Sequence, residues 1–104
     1  MTFDDLKERL RHFARERDWE QFHTPKNLAM ALSVEVSELV EIFQWLTPEA
    51  SADVMKGDQA AHVREELADI LIYLVRLADV LQVDLVDSAD EKIEANAQRF
   101  PPRT

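Results

Sequence analysis

Two pairs of acidic residues interrupt apolar helical patterns in this sequence. Glu35 and Glu38 lie in the stretch SVEVSELVEIFQWL, and Glu66 and Asp69 lie in EELADILIYL. A spacing of three puts both members of a pair on one side of an α-helix. Carboxylates that converge from two facing helices repel each other, so bases, bound protons or divalent cations must neutralise them.

Helical periodicity separates the acids that point inward from those that point outward. The residues Leu28, Leu32, Leu39, Ile42 and Leu46 form one apolar stripe, and a second contains Val63, Ile70, Tyr73, Leu77, Val80 and Leu81. In each case the first acid of the pair lies at the centre of the stripe and the second lies on its edge. Two further acids, Glu41 and Glu65, fall outside the stripes and are expected to face solvent.

Metal binding is the favoured way to neutralise four inward carboxylates, because oxygen ligands suit hard cations such as Mg²⁺ or Mn²⁺. A di-iron centre would require Glu-x-x-His motifs on two helices, and only Glu20 and His23 match that spacing. The alternative is a non-catalytic helical oligomerisation module. In that case buried acid–base pairs would involve Arg64, Arg76 and Lys92.

The composition predicts an all-α fold, because one glycine and four prolines in 104 residues leave few tight turns. We expect four helices: Thr2 to near Trp19, Thr24 to about Leu46, Asp58 to about Leu81, and Asp84 to Phe100. The segment 47–57 is expected to connect the second and third helices, with room for a short turn of its own. No change in composition marks a boundary, so residues 1–104 are predicted to form a single domain.

The charge and the apolar content restrict the expected partners and location. The chain has 12 basic and 21 acidic residues, a formal charge of −9, which disfavours nucleic acid and anionic membrane surfaces. It has no cysteine, hence no thiolate metal site, and no basic-then-apolar leader or long apolar run. We therefore expect a soluble cytoplasmic protein with no membrane or nucleic-acid partner.

The last predicted helix carries a polar row of Lys92, Asn96 and Arg99. This row could hold phosphates, or its bases could simply complement the helix dipole, and the pattern alone favours neither. Beside it lies an apolar row that is expected to pack inward: Val86, Ala89, Ile93, Ala97 and Phe100. The second helix also has apolar residues away from its main stripe, which predicts self-association.

Taken together, these motifs resemble those of the MazG-like all-α nucleoside triphosphate pyrophosphohydrolases, whose pattern is ExxE, a spacer and then ExxD. The matching segments here are EVSE and EELAD, and KIEANAQRFP is similar to the family's closing Lys, Asn, Arg and aromatic–Pro pattern. The segments ERDWEQFHTPKNLAMAL and EIFQWL most resemble the dCTP pyrophosphatase branch.

The resemblance implies a four-helix MazG-like bundle that assembles as a homodimer or homotetramer. It also implies Mg²⁺-dependent cleavage of a deoxynucleoside triphosphate, dCTP or modified dCTP, to the monophosphate and pyrophosphate, with Mn²⁺ as an alternative ion. The implied metal ligands are Glu35, Glu38, Glu66 and Asp69, with Glu35 or Glu38 as the catalytic base that orients water. The implied substrate-binding residues are Trp19, His23, Trp45 and Tyr73 for the base and sugar, and Lys92, Asn96 and Arg99 for the phosphates.

Overall fold

A computed structural model describes residues 1–103 of the chain. These residues form helices and turns, with no β-strand in the described part. The α-helices are α1 (Phe3–Glu16), α2 (Pro25–Phe43), α3 (Pro48–Ala52), α4 (Ala60–Val80) and α5 (Leu85–Arg99). Two 3-10 turns, Glu20–Phe22 and Val54–Lys56, follow α1 and α3. The all-α prediction is confirmed, and the segment 47–57 has a short helix of its own.

Side-chain caps fix the beginnings of three of the long helices. The Asp5 amide donates to Thr2 Oγ1 at 3.1 Å while the Thr2 amide donates to the Asp5 carboxylate at 2.9 Å, which makes a capping box. Thr24 Oγ1 accepts from the Asn27 amide at the start of α2, and Asp84 Oδ1 accepts from the Asp87 amide at the start of α5. The predicted helix starts at Thr2, Thr24 and Asp84 are therefore confirmed. The predicted start of α4 at Asp58 is wrong by two residues, and Ala60 begins the helix without a side-chain cap.

Two helices end in a left-handed residue that is not glycine. Asp18 follows α1 with φ of 59°, and Gln82 follows α4 with φ of 58°. In each case the next amide donates to the carbonyl five residues back, at 2.9 and 2.8 Å, so the chain reverses in a Schellman motif. The predicted extension of the first helix to near Trp19 is therefore wrong. The second helix also ends early, at Phe43, because turns occupy residues 44–46.

The core lies where α2 and α4 pack along each other and α1 packs across α4. Its most buried members come from all three helices: Ala14 from α1, Leu28 from α2, and Val63, Val75 and Ala78 from α4. α4 is therefore the central helix, and its two neighbours determine what its polar side chains meet. None of the helices formed by residues 1–103 has the length and apolarity needed to cross a membrane.

Helix α5 does not pack into this core. Its expected inward row is exposed, with Ile93 at 63% and Phe100 at 64% of full exposure, so the prediction that the row packs inward is wrong for a single chain. Within α5, only Leu85 is even half-buried. The radius of gyration is 16.8 Å, whereas a compact chain of this length would have about 13 Å. Within residues 1–103, α5 beyond its first residue thus has no helix packed against its apolar row.

Candidate active site

Three carboxylates meet at the contact between α2 and α4. Glu35, Glu38 and Glu66 each place one carboxylate oxygen within 4.8 Å of the others. Glu66 is buried at 5% exposure, whereas the two glutamates of α2 are half-buried. The three-residue spacing turns both α2 acids towards α4. Glu41 and Glu65 are exposed, as expected.

Asp69, the fourth predicted ligand, lies one turn after Glu66 on α4. It is half-buried, and its carboxylate is not part of the three-glutamate cluster. It is nevertheless close enough for its charge to raise the pKa of both Glu35 and Glu66. Asp69 therefore influences the cluster through its charge but is not one of its members.

Mutual hydrogen bonding, burial and repulsion displace the pKa values of the cluster. A hydrogen bond with Glu66, followed by burial and the charges of Glu38, Glu66 and Asp69, raises the pKa of Glu35 to about 7. The same bond lowers the pKa of Glu66, but burial, a hydrogen bond with Glu38 and nearby negative charges outweigh it, so the net shift is upward. Both shifts are upward, so the cluster resists full ionisation while it binds no cation.

The cluster has the donor chemistry of a divalent-cation site. Glu35 Oε2 and Glu66 Oε2 are buried, and within residues 1–103 neither has a hydrogen-bond partner. Such oxygens are costly to bury unless something binds them. No lysine or arginine in the described chain forms an ion pair with these glutamates. An oxygen-only donor set of this kind fits a hard ion such as Mg²⁺.

One neighbour of the cluster was not predicted from the sequence. His62 lies one turn before Glu66 on α4, and its Nε2 is 3.4 Å from Glu66 Oε1. Its ring is half-exposed. The i, i+4 spacing between His62 and Glu66 was the available signal, but it becomes meaningful only once Glu66 is known to be buried.

A cavity of about 570 Å³ begins at Asp69 and extends between α1 and α4. Its size suits a ligand of nucleoside dimensions. The predicted residues Trp19, His23 and Tyr73 all line it, together with Phe13. Trp19 meets Phe13 edge-to-face at 5.6 Å and lies 6.2 Å from the His23 ring, both measured between ring centroids. These rings give the cavity an aromatic wall.

Four predicted substrate-binding residues lie elsewhere in the single chain. Trp45 is 87% exposed in the turn after α2. The three polar residues of α5, Lys92, Asn96 and Arg99, are exposed on a helix that does not join the core. None of the four lines the aromatic cavity. Their roles remain predictions.

Comparison with protein families gives this arrangement a context. The model of the MazG-like family matches residues 30–103, which include all four predicted metal ligands. The chain belongs to the MazG-like family. Its two acidic pairs are therefore found within the matched region, whereas part of the aromatic wall, Phe13 to His23, precedes it.

Individual relatives of this MazG-like chain extend the similarity to its N-terminal part. It is 46% identical to dCTP pyrophosphatase 1 from Mus musculus and from Homo sapiens, over 96% of the chain in both cases. The chain spans 59% of the length of these relatives. A pyrophosphatase crystal structure from Archaeoglobus fulgidus superposes with a TM-score of 0.89 at 40% identity, covering 95% of this chain and 92% of the other.

A chain of polar contacts supports the cavity of this MazG-like protein from the side away from the glutamates. Arg76 Nε donates to His23 Nδ1 at 3.0 Å, and Arg76 Nη1 lies 3.4 Å from Asp79 Oδ2. Asp79 in turn accepts two hydrogen bonds from Arg11, at 2.5 and 2.6 Å. Burial, followed by the Arg76 charge, lowers the pKa of His23. Arg76 therefore serves the cavity wall and does not neutralise the acidic cluster.

Proposed function

We propose that this protein hydrolyses a deoxynucleoside triphosphate to the monophosphate and pyrophosphate, in a reaction that requires Mg²⁺ and accepts Mn²⁺. One observation carries the proposal. Glu35, Glu38 and Glu66 converge with two unpartnered buried oxygens, and Asp69, one turn from Glu66, lines an aromatic cavity large enough for a nucleoside. The acids suit ions that bind phosphates, and the cavity suits the base.

The relatives favour dCTP or a modified dCTP as the substrate. The mammalian proteins at 46% identity are named dCTP pyrophosphatase 1, and the similar archaeal structure is named a pyrophosphatase. This chain spans only 59% of the length of those mammalian proteins. We therefore propose dCTP as its substrate and do not transfer that activity from them directly.

The acidic residues would hold the metal, and one of them would act as base. Glu35, Glu38, Glu66 and Asp69 are the proposed ligands; the bound ion would polarise phosphoryl oxygens and lower the pKa of a bound water. Glu35 or Glu38 would orient the attacking water.

The cavity residues would bind the nucleoside and keep it oriented. Trp19 and Tyr73 offer aromatic faces on which a base can stack, and His23 offers a polar edge. Stacking of this kind would hold the base while the polyphosphate reaches the acids. Asp69 lies at the junction, because it lines the cavity and is one turn from Glu66.

Self-association would supply the phosphate-binding residues. We propose that the exposed apolar row of α5 packs against a second copy of the chain, as a homodimer or homotetramer. Lys92, Asn96 and Arg99 lie beside that row, so the same packing would bring them to a site formed by the partner copy. Trp45, exposed at the end of α2, would border the base in the same assembly.

The test is a panel of the four common dNTPs and 5-methyl-dCTP, with Mg²⁺ or with EDTA, monitored by pyrophosphate release. We expect Mg²⁺-dependent release, fastest with dCTP or its methylated form. Glu38→Gln should abolish release because it removes a ligand charge, whereas Glu41→Gln, an exposed glutamate on the same helix, should not change it. Absence of release from every nucleotide at high protein concentration would favour the non-catalytic oligomerisation module.

A further inference from the structure

Arg76 is buried in the wall of the aromatic cavity but is outside the acidic cluster. It is 8% exposed, and its charge is matched by Asp79, which also pairs with Arg11. A buried arginine held by a buried carboxylate has a fixed position. Its remaining contact, from Nε to His23 Nδ1 at 3.0 Å, is therefore made by a donor that cannot move away.

The protonation state of His23 follows from this contact. A guanidinium group has only donors, so the nitrogen that it meets must supply a lone pair. Nδ1 of His23 is then unprotonated, and in a neutral imidazole the proton must be on Nε2. Burial and then the Arg76 charge lower the pKa of His23; the Glu20 charge acts in the opposite direction, but the net shift is downward and opposes a second proton.

The other ring nitrogen is left available for a ligand. Within residues 1–103 no group forms a hydrogen bond with His23 Nε2, although the ring lines the cavity beside Trp19. A neutral N–H at this position is a donor without net charge. It suits an acceptor such as a carbonyl oxygen or an unprotonated ring nitrogen at the edge of a base.

We propose that Arg76 is a positioning residue that holds His23 neutral with its proton on Nε2, so that the cavity offers a hydrogen-bond donor to an acceptor atom of the nucleobase. This inference rests on the proposed function in assigning a nucleotide to the cavity. Arg76 acts through His23 and does not touch the substrate. Asp79 and Arg11 contribute by holding Arg76 in place.

The protonation state can be measured in the unmodified protein by long-range ¹H–¹⁵N NMR of the histidine rings. Only three histidines are present, so His12→Gln and His62→Gln variants assign the signals. We expect His23 at about pH 7 to show the neutral Nε2–H pattern. A proton on Nδ1, or an imidazolium ring, would overturn the proposal, and this result does not depend on enzymatic activity.

Binding measurements then test the role of the donor. With Mg²⁺ and dCTP carrying a nitrogen bridge between its α- and β-phosphates, calorimetry gives a Kd without turnover. We expect Arg76→Met to raise this Kd about tenfold, in keeping with the loss of one well-placed hydrogen bond. In a His23→Phe background the same change should have little effect, because Arg76 would have no histidine to position.

Two controls separate positioning from other roles of Arg76. Tripolyphosphate has no base, so Arg76→Met should leave its Kd unchanged; an equal loss would mean that Arg76 attracts the phosphates and would overturn the proposal. Arg15→Met, which removes an exposed arginine paired with Glu20, should behave as the native protein. An undiminished effect of Arg76→Met in the His23→Phe background would also contradict the proposal. If nucleotide binding follows these expectations but no pyrophosphate is released, only the proposed function fails.

Discussion

Glu35 makes the metal-free protein sensitive to pH. Its pKa is about 7 in the folded chain, above the value of about 4.3 expected when unfolded. The native state therefore binds more protons than the unfolded state between these values, and the free energy of unfolding falls as pH rises through this window. In thermal melts with EDTA, we expect a higher Tm at about pH 5 than at about pH 8.

The matched variant for this prediction is Glu35→Gln, which cannot ionise. Its Tm should vary less between the two pH values than that of the native protein, since the repelling charge is absent at both. Mg²⁺ should stabilise the native protein more at the higher pH, where the ligands are ionised. A native Tm that rises towards alkaline pH in EDTA would show that the cluster does not control stability.

Substitution of Glu38 distinguishes a metal-ligand role of this residue from a structural role in a buried ion pair. If Glu38 mainly repels Glu35 and Glu66, Glu38→Gln should leave the metal-free protein as stable as the native one or slightly more stable. If it belongs to a buried ion pair, the same change should reduce the free energy of unfolding by about 3–5 kcal/mol. Urea denaturation in EDTA measures the difference, and Glu41→Gln provides an exposed reference.

Sequence reasoning identified the inward acids because helical periodicity is a local property. The division between Glu35 and Glu41 needed only the 3.6-residue repeat and an apolar stripe. The contact between Arg76 and His23 could not be predicted in this way. It depends on which helices meet and at what depth, since the two residues are 53 positions apart.

At the scale of helices, the two residues in the left-handed conformation are positions where substitution by glycine is expected to increase stability. Gln82 has φ of 58° after α4, where a side chain other than glycine is strained. Gln82→Gly should therefore increase the free energy of unfolding by about 0.5–1 kcal/mol, after allowing for the greater freedom of glycine in the unfolded chain. Denaturation at matched protein concentration would measure it.

The control for this prediction is Gln82→Ala, which keeps the strained backbone and should give no such gain. Asp18→Gly is expected to gain less than Gln82→Gly, because aspartate tolerates the left-handed conformation better than glutamine does. A loss of stability in Gln82→Gly would mean that the Gln82 side chain makes a favourable interaction that outweighs the strain.

The residues at the helix ends explain which helix boundaries could be predicted from the sequence. The N-termini at Thr2, Thr24 and Asp84 carry a hydroxyl or carboxylate in the position that a cap requires, so they could be recognised locally. The end of α1 has neither glycine nor proline, and nothing in its composition indicated the reversal at Asp18. A left-handed aspartate is stabilised by the complete Schellman turn, which sequence patterns represent poorly.

At the scale of the whole molecule, the unpacked helix α5 predicts self-association. We expect sedimentation to give a mass at least twice the 12.1 kDa of one chain. Ile93→Glu places a charge in the centre of the exposed apolar row and should lower both the mass and the rate of pyrophosphate release. Glu94→Gln changes an adjacent exposed residue and should preserve both. A native protein that sediments as a monomer would contradict this prediction.

The position of α5 also shows what an amphipathic pattern can and cannot predict. Its apolar row, which includes Ile93 and Phe100, predicts one face that packs against another surface. The pattern does not say whether the covering surface belongs to the same chain or to another. The inward packing that we expected from the sequence therefore has no partner among residues 1–103 of one copy.

The central position of α4 has a consequence for substrate length. Glu66 and Tyr73 lie on this one helix, and seven residues of α-helix correspond to about 10.5 Å along its axis. With a polyphosphate at Glu66 and a base at Tyr73, α4 would fix the distance between the sites that bind the two ends of the nucleotide. A helix does not stretch, so a substrate would be accepted by its length as well as by the identity of its base.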